Sequence, residues 1–292
     1  MLLRLTDQPR RLLLITSLII AYALLTGCVT TPYDYGTGRM DIDLPRSPNM
    51  AQQFYVGEPH PFLDKADWIW PGSLLAKLIL WDITVDSHQI SDETLAAMKQ
   101  YMTDNDLQNV QVLVNTYKPG NQWSRLFKNR TVHPGWRFTL GILSVVGYTI
   151  TPGRFFGGDA YNPYTNTIYL YSDNPAIALH EAGHAKDFGR RRLKGTNAFI
   201  YQLPLAALYY EAKASSDALS YLEDKKQKAE QGDAYDILYP AYGTYLGGNF
   251  GTFASEPLAA QLALIIPAHI VGRIKGAIAR SKADDEGADS EP

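Results

Sequence analysis

His180, Glu181 and His184 stand in the run His-Glu-Ala-Gly-His. Residues four apart share one face of a helix, so both imidazoles can reach a single metal ion. Glu181 lies about 100° further round. There its carboxylate flanks the ion and can polarise an attacking water. The two histidines also fall on the stripe Ile177, His180, His184, Phe188, among apolar neighbours. Gly183 costs about 1 kcal/mol in a helix interior; close approach by another backbone or by substrate accounts for it.

A catalytic zinc takes three protein ligands and keeps one position open. The chain has a single cysteine, Cys28, which excludes both a Cys-rich metal site and an internal disulfide. A helix read from Pro204 to about Lys225 carries Glu211 inside its apolar stripe, beside Leu208 and Ser215. A carboxylate facing a core is costly unless it is paired or holds a metal. Glu211 is therefore expected as third ligand, with Asp187 and Asp217 as alternatives. A donor for the developing oxyanion is also needed. Tyr209, Tyr210, Tyr242, Tyr245 and His269 are candidates, and the sequence does not choose among them.

The elements that position these residues follow from local pattern. Asn174 reads as N-cap and Pro175 as first residue of the histidine-bearing helix, which runs to about Phe188 and ends near Gly189. Strands are expected at 78–85, 109–117 and 165–171. Ser91 reads as N-cap of a helix with the spacing Leu95, Met98, Met102. Residues 137–150 are apolar and fit either a helix or a strand, and 153–163 reads as loop.

The His180–His184 helix, the strand before it and the helix after it resemble the zincin metallopeptidases. The segment Glu211-Ala-Lys-Ala-Ser215-Ser-Asp-Ala218 resembles the E-x-x-A-(D/N)-x-x-A segment of gluzincins, with Ser215 where Asp or Asn is usual. The resemblance implies an α+β zincin-like domain over 67–280, with a small sheet and a mainly helical C-terminal half. It implies zinc (Zn2+) held by His180, His184 and Glu211, with Glu181 as general base in peptide-bond hydrolysis. In that family an edge strand beside the active helix binds extended peptide by strand addition. Lys186 departs from the pattern, which prefers an apolar residue there. The run HEAGHA also resembles membrane-bound ATP-dependent proteases, in which a later Asp is the ligand.

Residues 1–27 have the layout of an export signal: Arg4, Arg10 and Arg11, then the apolar run Leu12–Leu24. Leu25-Thr26-Gly27-Cys28 resembles a bacterial lipobox. This implies a lipidated Cys28 tethering the chain to the membrane, and Val29 in the next position favours an outer membrane, facing the periplasm. The substrate is then an envelope protein or peptide. A non-catalytic zinc-binding lipoprotein acting as scaffold is the alternative; the intact Glu181 argues against it. A hydrolase of another amide, such as a peptidoglycan cross-link, is a third reading. The net charge of −3 and the lack of a Lys/Arg stripe argue against a nucleic-acid partner.

Residues 28–66 read as a Pro/Gly-rich linker and 281–292 as a disordered acidic tail. Between 240 and 272 only Glu256 is charged, and Gly243, Gly247 and Gly251 repeat every four residues. A glycine-rich loop followed by a buried helix is expected here, with a membrane-dipping hairpin as the alternative.

Overall fold

The computed structural model describes residues 28–37, 53–58, 60–156, 158–251 and 257–288. The fold is α+β, mostly helical, with one small mixed sheet. The export-signal reading of 1–27 lies outside the described residues.

Strands β1 (Phe54–Val56), β2 (Gln111–Val114), β3 (Ala160–Asn162) and β4 (Thr167–Leu170) form the sheet in the order β1-β2-β4-β3. β1, β2 and β4 run parallel, and β3 pairs antiparallel with β4 at the edge. β2 and β4 are buried along their whole length, as expected for central strands covered on both faces.

Helices α1 (Pro61–Trp68), α2 (Pro71–Leu80), α3 (Asp92–Asp104), α4 (Pro119–Lys128) and α5 (Ile142–Ile150) precede the His-Glu-Ala-Gly-His run. The histidine-bearing helix is α6 (Pro175–Arg190), followed by α7 (Lys194–Tyr201), α8 (Ala206–Asp224), α9 (Lys228–Gly251) and α10 (Pro257–Ala288). α6 starts where its cap residues require. Asn174 accepts from the backbone N–H groups of Ala176 (3.0 Å) and Ile177 (3.3 Å), two of the donors a helix start leaves unpaired. Ser91 caps α3 through the Thr94 N–H. Asp173 accepts from both the Ser91 and the Thr94 hydroxyl, which ties the start of α3 to the start of α6.

Five expectations are corrected. Residues 153–163, read as loop, hold a short helix at Gly153–Phe156 and the strand β3. Residues 78–85 form no strand: Pro71 opens α2, and Trp81 closes it in the left-handed region at φ 54°. The apolarity of that run comes from an exposed face, not from a buried strand. The described residues of the stretch read as linker pack onto the fold. Cys28 is fully buried in the core, Phe54–Val56 is an edge strand, and Thr31 N donates to Ser220 Oγ at 2.8 Å. Its short elements lack the length that gives a visible period. The glycine series forms no loop but lies in α9, packed along α10. A Cβ on Gly243 would lie 2.7 Å from Ala268 Cβ, and one on Gly247 2.5 Å from Gln261 Cα. Small residues there let the two helices approach. Finally, α10 continues to Ala288 through most of the acidic stretch.

Candidate metal centre

α6 and α8 cross at Gly183. A Cβ there would stand 3.1 Å from the Ala214 carbonyl oxygen of α8, so the glycine permits the close backbone approach its position suggested. That crossing brings Glu211 and Ser215 against the two histidines.

His180 Nε2 lies 3.1 Å from His184 Nε2 and 3.1 Å from Glu211 Oε2, and His184 Nε2 lies 3.4 Å from Glu211 Oε1. Atoms bonded at about 2.0–2.2 Å to one tetrahedral zinc stand about 3.3 Å apart, and the observed spacing matches. All three residues are buried, and together they can hold a metal ion. Ser215 Oγ stands 3.1 Å from His180 Nδ1. With the Nδ1 proton donated to Ser215, His180 turns a lone pair toward His184 and Glu211. Such convergent lone pairs call for a cation. The donor set, two imidazoles and one carboxylate, suits zinc.

Electrostatics divide the two glutamates. Burial alone would raise the Glu211 carboxyl, but the His184 and His180 imidazoles beside it hold it well below the usual range. Glu181 is pushed up to about 8, chiefly by burial; His180 opposes the rise, and Glu211 and Asp159 add to it. Glu181 does not join the ligand cluster. It lines two cavities, one of about 180 Å3 on the His184 side and one of about 400 Å3 on the His180 side.

The alternative ligands are engaged elsewhere. Asp217 accepts from Lys186 Nζ at 2.7 Å and from the Tyr101 hydroxyl. Asp187 pairs with Arg191 at 2.5 Å and with Lys213. The Asp217 contact also explains Lys186. Its ammonium is buried over the Tyr33 ring, 3.8 Å from the centroid, with Asp217 as counter-ion.

Of the candidate oxyanion donors, Tyr245 lines both cavities beside Glu181. Tyr210 donates to Asn197, His269 contacts the Ile79 carbonyl, Tyr242 lies in the core and Tyr209 is exposed. Two further residues were not foreseen. The Tyr201 hydroxyl, at the end of α7, donates to Glu211 Oε1. Burial, then the Glu211 charge, raises its pKa, so it stays a donor. Asp159 lines both cavities and accepts from the Tyr171 and Ser172 N–H groups at 2.6 and 3.0 Å. No local pattern marks either residue, because each reaches the site from outside the motif helices.

Cys28 is fully buried, and burial pushes its thiol up to about 12. The Tyr239 hydroxyl donates to its carbonyl oxygen at 3.1 Å. No family model, curated protein or solved structure matches the chain.

Proposed function

We propose that the chain is a zinc-dependent metallopeptidase in which His180, His184 and Glu211 hold the ion. The observation that carries this reading is the convergence of those three side chains beside Glu181, a buried carboxylate left outside the cluster. A purely structural zinc site is closed by four protein ligands and has no use for that carboxylate.

Bound zinc would supply Lewis acidity toward a substrate carbonyl and lower the pKa of an attacking water. The chain's own groups do the rest. Glu181 takes a proton from the water at its carboxylate oxygen and passes it to the leaving amine. Tyr245 supplies a hydroxyl donor beside the cavities for charge developing on the carbonyl oxygen, and Tyr201 could join it by giving up its bond to Glu211. Ser215 fixes the His180 ring. The substrate is an envelope protein or peptide, as an exported and lipid-tethered chain would meet.

Lipid attachment at Cys28 needs the first described residues to lift out of the core, since its sulfur is enclosed there. The test of the catalytic reading is Glu181→Gln. The variant is expected to bind one zinc per chain and to lose casein hydrolysis by about 10²–10⁴-fold. Purified wild type that takes up no stoichiometric metal at neutral pH overturns it.

A further inference from the structure

One segment of the molecule is built with its polarity reversed. Between Pro61 and Ile83 most of the polar side chains, Asp64, Asp67, Ser73 and Lys77, turn inward. Asp67, with no exposure, holds His88 at 2.5 Å; Lys77, 6% exposed, donates to Ser73 Oγ at 2.6 Å; Asp64 pairs with Arg154 at 3.0 Å. The apolar side chains turn outward: Phe62 is 74% exposed, Ile69 62%, Leu78 70%, Trp81 61% and Ile83 75%. A helix facing water shows the opposite arrangement.

α10 continues the same face. Leu262, Ile266, Ile270, Ile274 and Ile278 are each about half exposed and form a ridge about 24 Å long. His269, one residue before Ile270, is buried. It contacts the Ile79 carbonyl oxygen at 2.7 Å and stacks on Trp81 at 4.0 Å. The α2 face and the α10 ridge are thus one surface, joined at Trp81. Contiguous exposed apolar area on this scale marks an interaction site.

We infer that this face docks into a lipid surface. Three features select lipid over a second protein. Trp68, Trp70 and Trp81 stand on the face, and tryptophan favours the boundary between acyl chains and headgroups. The charged residues exposed within 61–83 and 261–283 are Lys65, Arg273 and Lys282, all positive, although the whole chain carries −3. That sign complements anionic headgroups. Finally, the larger cavity beside Glu181 is lined by Leu75, Ala76 and Ile79 of α2 and Gln261 of α10, so docking here sets that cavity against the membrane. This face is apolar whether or not the chain hydrolyses peptides.

The test uses the full chain with vesicles of phosphatidylethanolamine and phosphatidylglycerol brominated in the acyl chains. All five tryptophans lie outside the apolar N-terminal run, so quenching reports the folded part. Emission from Trp68, Trp70 and Trp81 is expected to be largely lost. Trp81→Phe should shrink the quenched share, and Trp123→Phe should leave the lost emission unchanged. Leu78→Glu with Ile270→Glu, both at exposed positions, should restore emission. Unquenched emission while the chain floats with the vesicles overturns the proposal. So does a lipid-free dimer that the same two glutamates convert to monomer, which assigns the face to a second copy.

Discussion

Ser215 Oγ lies 3.1 Å from His180 Nδ1, while the other ring nitrogen, Nε2, meets Glu211. In the proposed zinc site this hydroxyl would take the place of the Asp or Asn of the gluzincin pattern and fix the tautomer that leaves Nε2 free for a metal. Ser215→Ala is expected to fold normally and to weaken zinc binding by about 10–100-fold. Competition against a fluorescent chelator measures this; unchanged affinity would assign ring orientation to packing alone.

Tyr201 touches Glu211, and through it the ligand cluster, yet it is not within the cluster itself. If it donates to charge developing on substrate, Tyr201→Phe lowers kcat by about 10²–10³-fold with zinc content retained. If its only role is to hold Glu211, zinc affinity falls instead and kcat at saturating zinc is unchanged. Turnover of a quenched-fluorescence peptide across a zinc titration distinguishes these.

The residues read correctly from sequence are those whose signal is local and physical. Asn174 and Ser91 cap helices because their side-chain oxygens can reach N–H groups two or three residues on. Glu211 was legible because an acid within an apolar stripe demands a partner. Gly183 was legible because glycine in a helix interior needs a reason. Tyr201, Asp159 and the Lys186–Asp217 pair were not legible, since each depends on a contact between separate elements. The run 78–85 misled for a different reason. Apolar periodicity reports which residues avoid polar neighbours, and on α2 those residues face outward rather than into the core.

Lys186 is 2% exposed, with Asp217 as its counter-ion. Asp217→Ala leaves that ammonium buried without a partner and is expected to cost about 2–3 kcal/mol of stability. Lys186→Met should cost less, because the Asp217 carboxylate still reaches solvent. Neither change should alter zinc stoichiometry, since neither side chain reaches the cluster. Urea denaturation with metal analysis tests both; zinc lost from a folded Asp217→Ala protein would return Asp217 to the ligand set.

The buried thiol gives a direct reading of whether a lipid occupies Cys28. Chain made without export should react with a thiol reagent at neutral pH only after unfolding, because burial both hides Cys28 and suppresses its thiolate. Chain taken from membranes should yield no thiol even when unfolded if a lipid occupies the sulfur. A thiol released by denaturing the membrane-derived protein would show that Cys28 is unmodified.

Asp159 gives stability a pH dependence whose sign can be worked out. Burial first, then the nearby Asp86, raise its carboxyl from 3.8 to about 6, against hydrogen bonds from Ser172 and Tyr171 that lower it. The folded protein therefore binds the Asp159 proton more tightly than the unfolded chain does. Its contribution is fully present below about pH 4 and is lost as pH rises through about 6. Asp159→Asn removes this dependence while keeping an acceptor for the Tyr171 and Ser172 N–H groups. In metal-free protein the stability of wild type relative to the variant should fall by about 2 kcal/mol between pH 4 and pH 7. Denaturation at a series of pH values measures the difference directly, and one that stays flat or rises with pH would mean that Asp159 is ionised in the folded state at no cost.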